Sequence, residues 1–162
     1  MADDTDLVLE RTLNAPLDLV WKAYTDPEHM KQWWAPRPYR TPEVDIDWRP
    51  GGIFHFVMTG PDGFREDSAG CVLEYVPNER VAWTSALGPG FRPNDLSGKD
   101  GCEAFAFTAV VTFADAGNGK TAYKAVALHK NSTDRDTHEK MGFQEGWGAC
   151  AAQLEEVAQT LA

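Results

Sequence analysis

The apolar positions of this chain change their period twice. Residues 7–13 alternate, with Leu7, Leu9, Arg11 and Leu13 on one face, which predicts a strand. Leu17, Val20, Trp21 and Tyr24 then recur at helical spacing, and a second short helix after Thr25-Asp26-Pro27 carries Met30, Trp33 and Trp34. Asn14 is the expected cap of the first helix and Asp26 of the second, with Pro16 and Pro27 in their first turns. Pro36, Pro38 and Pro42 make residues 35–42 an ordered loop. Beyond it the alternation returns and predicts strands at residues 43–48, 53–59, 64–75, 80–87, 102–113 and 121–130. Turn sequences join most of them, among them Gly60-Pro61-Asp62-Gly63 and Asp115-Ala116-Gly117-Asn118-Gly119. A bulge is expected near Gly70, and residues 88–101 form a Gly-, Pro- and polar-rich loop that is a candidate lid.

The last stretch, residues 134–161, is helical again. Phe143, Trp147, Cys150, Ala151, Leu154, Val157, Ala158 and Leu161 fall on one stripe about 120° wide, while Gln144, Glu145, Gln153, Glu155, Glu156 and Gln159 lie mostly off it. Carried backwards, the same count turns Asp136 and Glu139 inward and His138 away. Thr133 to Asp136 resembles a capping box. A helix of roughly 28 residues is about 42 Å long and must lie on something; the strands upstream supply the surface. Strands joined by tight turns pair antiparallel. Strands grouped together, with helices at the ends, define an α+β fold. The expectation is one domain over residues 1–162, in which a curved antiparallel sheet of about seven strands wraps a long C-terminal helix.

Composition narrows the function classes. The net charge is −10 and no basic run exists, which argues against nucleic acid as a partner and against anionic membrane surfaces. No apolar run reaches the ~18 residues of a membrane span, and the acidic start, Met-Ala-Asp-Asp-Thr-Asp, is not a signal peptide but a polar tail. Cys71, Cys102 and Cys150 show no paired or zinc-type spacing, so reduced thiols in a cytoplasm are expected. Four His residues without HxxxH or HxH pairing supply no metal set, and neither a GxSxG nor a P-loop is present. No cofactor is expected, and a homodimer is compatible with the sequence but not required by it. Six Trp and eight Phe are many for 162 residues and suit a core or an apolar pocket equally.

Several short segments, in order, resemble one family: Asn14-Ala15-Pro16 with Val20-Trp21, Thr25-Asp26-Pro27, Trp33-Trp34, Arg49-Pro50-Gly51-Gly52, Pro61-Asp62-Gly63, Pro77-Asn78-Glu79-Arg80, Gly119-Lys120-Thr121, and Gly142-Phe143 with Gly146-Trp147. The resemblance is to the helix-grip, START-like (SRPBCC) superfamily, and within it to the single-domain bacterial proteins named after the activator of the heat-shock chaperone ATPase. It implies a cavity between the long helix and the sheet. The activator's additional N-terminal chaperone-binding domain is not expected ahead of a first strand that begins at Leu7.

Within such a cavity the alternation places Trp34, Phe54, Phe56, Met58, Trp83, Phe105 and Phe107, together with Phe143 and Trp147 from the helix. His129 joins them because it is in phase with Tyr123, Ala125 and Ala127, whereas His55 alternates outward. Gly142 and Gly146 border the helical stripe, and the missing side chain at Gly146 serves either close packing or room for a ligand. Catalytic candidates are confined to Glu139, Glu145 and His129. The expected function is binding of a hydrophobic or aromatic small molecule. The alternatives are an enzyme of the polyketide cyclase/aromatase kind using the same cavity, and a co-chaperone-like interaction module with an exposed apolar patch.

Overall fold

Period-two alternation over most of the chain builds a sheet with one face turned to a helix. The structure is a computed structural model that describes residues 4–99 and 104–162. In chain order it contains β1 (Asp6–Leu13), α1 (Leu17–Thr25), α2 (Pro27–Met30), β2 (Arg40–Ile46), β3 (Ile53–Thr59), β4 (Arg65–Val76), β5 (Arg80–Thr84), β6 (Leu87–Gly88), β7 (Arg92–Pro93), β8 (Phe107–Gly117), β9 (Lys120–His129), α3 (Ser132–Lys140) and α4 (Phe143–Thr160). Seven strands form one antiparallel sheet in the order β1-β9-β8-β5-β4-β3-β2, and β6 pairs with β7 in a separate small hairpin. The fold is α+β, with α1 and α2 following the first strand and α4 laid on the sheet.

The core follows the stripes. Leu7, Leu9 and Leu13 of β1, Val111 and Phe113 of β8, and Tyr123, Ala125 and Ala127 of β9 are buried against Leu154, Val157 and Ala158 of α4. Burying one such aliphatic side chain is worth about 1.5–3 kcal/mol, so the C-terminal half of α4 is firmly held. Pro27 sits at the start of α2 and Asp26 caps it, its carboxylate accepting from the Glu28 N–H at 2.9 Å.

Local capping differs from the pattern elsewhere. Asn14 does not cap α1; its N–H donates to Glu155 Oε2 at 2.6 Å and its carbonyl accepts from Gln159 Nε2, fastening α4 to the β1–α1 corner. Asn131, not Thr133, caps α3 through the Asp134 N–H at 2.8 Å. Gly70 lies in continuous register with β3; the irregularity falls two residues on, between Val72 and Glu74, opposite β5. Glycine is needed at 70 because a Cβ there would come within 2.5 Å of the Thr84 carbonyl oxygen. Strand β2 begins earlier than expected, and β8 begins at Phe107; the anticipated start at Cys102 lies outside the described residues.

The anticipated 28-residue helix is two helices. Gly142 has φ 96° and ψ 38°, the left-handed region, where an L side chain clashes with the backbone and glycine does not. Its N–H donates to the Glu139 carbonyl at 3.0 Å, closing the end of α3, and α4 restarts at Phe143 in a new direction. Any face count carried across residue 142 is therefore broken.

Gln153 also departs from the pattern, being 5% exposed rather than solvent-facing. Its Nε2 donates to the carbonyls of Ala35 (2.8 Å) and Trp33 (3.2 Å), and its Oε1 accepts from the Arg37 N–H at 3.0 Å. One amide side chain thus satisfies three backbone groups of the segment between α2 and β2 and holds Trp34 over the sheet. Replacing Gln153 by Leu, similar in size but unable to bond, leaves these groups short of partners. We expect a loss of about 2–4 kcal/mol in urea denaturation; an unchanged midpoint would contradict this role.

Candidate ligand cavity

Over its N-terminal half α4 is held to β1, through Gln144 and Gly148, but stands off β3 and β5. The space between them is a cavity of about 510 Å³, within the roughly 300–1,000 Å³ of sites for drug-sized ligands. Phe143, Gly146, Trp147 and Cys150 of α4 line it. The opposite wall is Phe56 and Met58 of β3, Trp83 of β5, Phe107 of β8 and Phe105 just before it. Trp34 closes one side, its ring centroid 5.4 Å from Phe56 and 5.7 Å from Trp83. Phe54 stands one layer behind, stacked on Trp83 at 4.3 Å and 11° between planes, and it does not line the space.

The two glycines of α4 have opposite surroundings. A Cβ on Gly148 would meet the Arg11 guanidinium at 3.1 Å, so that glycine is there for packing on β1. A Cβ on Gly146 would meet nothing within 4 Å. The absent side chain leaves open volume, the alternative that favours a ligand.

Tyr39, Phe64 and Met141 stand exposed at the cavity mouth, with Tyr39 and Phe64 edge to face at 5.3 Å. Glu66, Asp67, Asp95 and Lys99 add a polar rim of net negative charge. The segment after β7 forms part of this wall through Asn94, Asp95, Leu96 and Lys99. Asn94 Nδ2 donates to the carbonyls of Ala69 and Ser85, each at 3.0 Å, and ties the segment to the strands. The end of the candidate lid, residues 100–101, lies outside the described residues.

Polar groups reach the interior at two places. At one, Tyr24, Tyr123, Trp83 and Cys150 meet beneath Trp34. Burial pushes both phenols well up from their ordinary values and raises the Cys150 thiol to about 12, so all three stay protonated donors at neutral pH. The Cys150 thiol donates to the Trp34 carbonyl at 3.2 Å. The Trp83 indole nitrogen is buried beside Tyr24 but short of hydrogen-bond geometry, and it has no hydrogen-bond partner among the described residues.

At the other place His138, 4% exposed, lines the cavity. Its Nδ1 lies 2.8 Å from His129 Nε2, and His129 Nδ1 donates to the Thr5 carbonyl at 2.8 Å. Rings surround His138: Phe107 at 4.8 Å, Phe105 at 5.3 Å, Phe143 at 5.4 Å and Trp147 at 6.0 Å. Burial, and secondarily the neighbouring His129, lower its pKa to about 4.

Here the structure reverses the helical count. His138 turns inward, whereas Asp136 and Glu139 are exposed and paired with Arg135 at 3.1 and 3.0 Å. Glu145 is exposed as well. His129 is buried but stands behind His138 rather than on the wall. His55 bonds Asp67 at 2.7 Å and does not line the cavity. The signal that would have found His138 is Gly142 read as a helix stop, which frees the two faces to rotate relative to each other. Among the described residues no group of three His, Cys, Asp or Glu is placed to hold a metal ion, and no helix is long and apolar enough to cross a membrane.

A curved antiparallel sheet gripping a long helix across a cavity defines the helix-grip, START-like (SRPBCC) class. More narrowly, the chain belongs to the family described as Activator of Hsp90 ATPase homolog 1-like protein, which matches residues 14–159. A crystal structure of a protein from Nitrosomonas europaea is 37% identical, with a TM-score of 0.90 over 99% of this chain and 98% of that one. A protein from Rhodobacter sphaeroides (18% identity, TM-score 0.80, 100% and 97% covered) shares the fold. So does one from Mycobacterium smegmatis (24% identity, TM-score 0.75, 95% and 90% covered). No curated protein matches the chain.

The depressed His138 pKa has a stability consequence. Between its unfolded value of 6.5 and its folded value of about 4, the unfolded chain binds a proton that the folded one does not. Stability from this group is complete above pH 6.5 and falls as pH drops towards 4. A fall from 6.5 to about 4 corresponds to about 3 kcal/mol. Denaturation midpoints should decline over that window in the wild type and less steeply in His138→Phe. Parallel declines would show that His138 is not buried neutral.

Proposed function

We propose that the protein binds a neutral hydrophobic or aromatic small molecule in the cavity between α4 and the sheet. The observation that carries this is the open volume beside Gly146, walled by Trp34, Phe56, Trp83, Phe107 and Trp147. Affinity comes from apolar area removed from water, at about 25 cal/mol per Å². The acidic rim and the net charge of −10 disfavour anionic ligands. Exposed Tyr39, Phe64 and Met141 gather at the cavity mouth, which suits an entry port better than a separate chaperone-docking patch. We also assign the protein to a reducing cytoplasm, as a single helix-grip domain, with free Cys71 and Cys150 consistent with that setting.

One observation favours a second reading. His138 is a neutral base inside the cavity, as a cyclase- or aromatase-like enzyme would need. That chemistry also requires a donor group converging with His138 Nε2 on one substrate atom, about 3 Å from each.

Binding is tested with the neutral fluorophore N-phenyl-1-naphthylamine and by native mass spectrometry of freshly purified protein. We expect saturable, one-to-one enhancement of fluorescence. Gly146→Phe, which fills the open volume, should weaken it at least tenfold with the circular dichroism spectrum unchanged. No binding by the wild type, or full binding by Gly146→Phe, would sink the proposal.

A further inference from the structure

The buried histidine pair has its protons assigned by a single carbonyl. Thr5 O accepts from the His129 backbone N–H at 3.1 Å and lies 2.8 Å from His129 Nδ1. A carbonyl oxygen only accepts, so His129 Nδ1 carries the hydrogen. In neutral His129 this leaves Nε2 as a lone pair. His138 Nδ1 faces that lone pair at 2.8 Å and bonds to it only as a donor. The proton of neutral His138 is then on Nδ1, and its Nε2 is a bare acceptor. The relay runs from the backbone of the segment before β1, through β9, to α3, and ends at the cavity.

Nothing among the described residues satisfies that acceptor. His138 Nε2 takes part in no hydrogen bond among the described residues, and it is not one of the sealed, partnerless atoms of the interior. Around it stand Phe105, Phe107, Phe143 and Trp147, which offer no acceptor to compete for a donor. A fixed, neutral acceptor inside an aromatic cage distinguishes ligands by whether they carry a donor. A site built to hydrogen-bond a hydroxyl discriminates against an analogue that lacks it far better than an apolar wall does.

We propose that His138 Nε2 is the specificity element of the cavity, accepting a hydrogen bond from the hydroxyl of a phenol-class aromatic ligand, with His129 as the positioning residue that sets its tautomer. This rests on the binding function proposed above and names its ligand class. It gives the His129–His138 pair a purpose that packing alone does not require, since two apolar side chains would fill the same volume without a buried polar pair.

The test compares 2-naphthol with 2-methoxynaphthalene, which has the same ring system but no donor. Both are titrated at pH 7.5 by calorimetry into the wild type and into His138→Phe. In the wild type the naphthol binds about tenfold tighter than the ether. His138→Phe removes that preference, bringing the affinities for the naphthol and the ether within about twofold of each other. Equal affinities in the wild type, or a preference that survives in His138→Phe, overturn the inference while leaving cavity binding standing. Failure of both probes to bind overturns the binding function and this inference with it. A ligand-free measurement covers the case in which His138→Phe does not fold. Long-range ¹H–¹⁵N correlation spectra of the wild-type side chain should show His138 in the Nδ1–H form, and an Nε2–H form overturns the assignment.

Discussion

The left-handed residue at Gly142 is the constraint on which the interior depends. α3 must end and α4 must restart for one face of each to reach the same cavity. A right-handed residue there would continue α3 into α4, and the faces would stay locked at 100° per residue. With φ at 96°, the chain brings His138 from the end of one helix and Phe143, Gly146 and Trp147 from the start of the next to a common space. The break also leaves Glu139 free to pair with Arg135 at the surface instead of facing the rings. A charge among them would cost several kcal/mol. The cavity is therefore neutral because of one backbone dihedral, whereas its mouth, built from strand ends and the segment after β7, is acidic.

The space persists because α4 is held firmly elsewhere. Its C-terminal half is ordinary core, with Leu154 and Ala158 fully buried, and its flank is tied by Gln153 to the backbone around Trp33 and Ala35 and by Glu155 and Gln159 to Asn14. The helix therefore cannot tilt to collapse its N-terminal half onto β3 and β5. Collapse would also need to displace Trp34, whose ring is braced by Tyr24, Trp33, Phe54, Phe56 and Trp83. An apolar cavity is a cost in lost dispersion contacts. A fold that invests three backbone bonds from one buried glutamine in keeping the cavity open is consistent with a use for it.

The sheet was legible because its evidence is local and repeated. Tyr123, Ala125, Ala127 and His129 alternate without interruption, and the glycine- and proline-rich turns between strands leave little choice of pairing. Strand ends were less legible: β2 begins a few residues before the apolar pattern alone starts it. The helical stripe identified Phe143 and Trp147 correctly in phase because both lie after Gly142. The same count failed for His138, which lies before it. Gln153 was unreadable for a different reason. A glutamine's burial depends on whether unpaired backbone groups stand opposite, and those belong to a segment more than a hundred residues away. Tyr24 and Tyr123 fell on correctly identified apolar faces, but their hydroxyls were not recognised as cavity groups, since periodicity registers the ring and not its polar tip.

The cavity therefore separates its chemistry along the helix. Phe143 and Cys150 are seven residues apart on α4, about 10 Å of rise. His138 lies at the Phe143 end as an acceptor, while the Tyr24 and Tyr123 hydroxyls and the Trp83 N–H gather at the other as donors, with rings between. A proton donor and a base acting on one carbonyl group must converge on it, the donor within hydrogen-bond reach of its oxygen. Groups set at opposite ends of a helix segment do not converge on one atom; in the binding role proposed for the cavity they would meet the two ends of an extended molecule. That geometry favours recognition over acid–base catalysis. It also explains why the polar groups are few, neutral at physiological pH and braced by aromatic neighbours: each needs only to hold its direction, and none needs to change its charge.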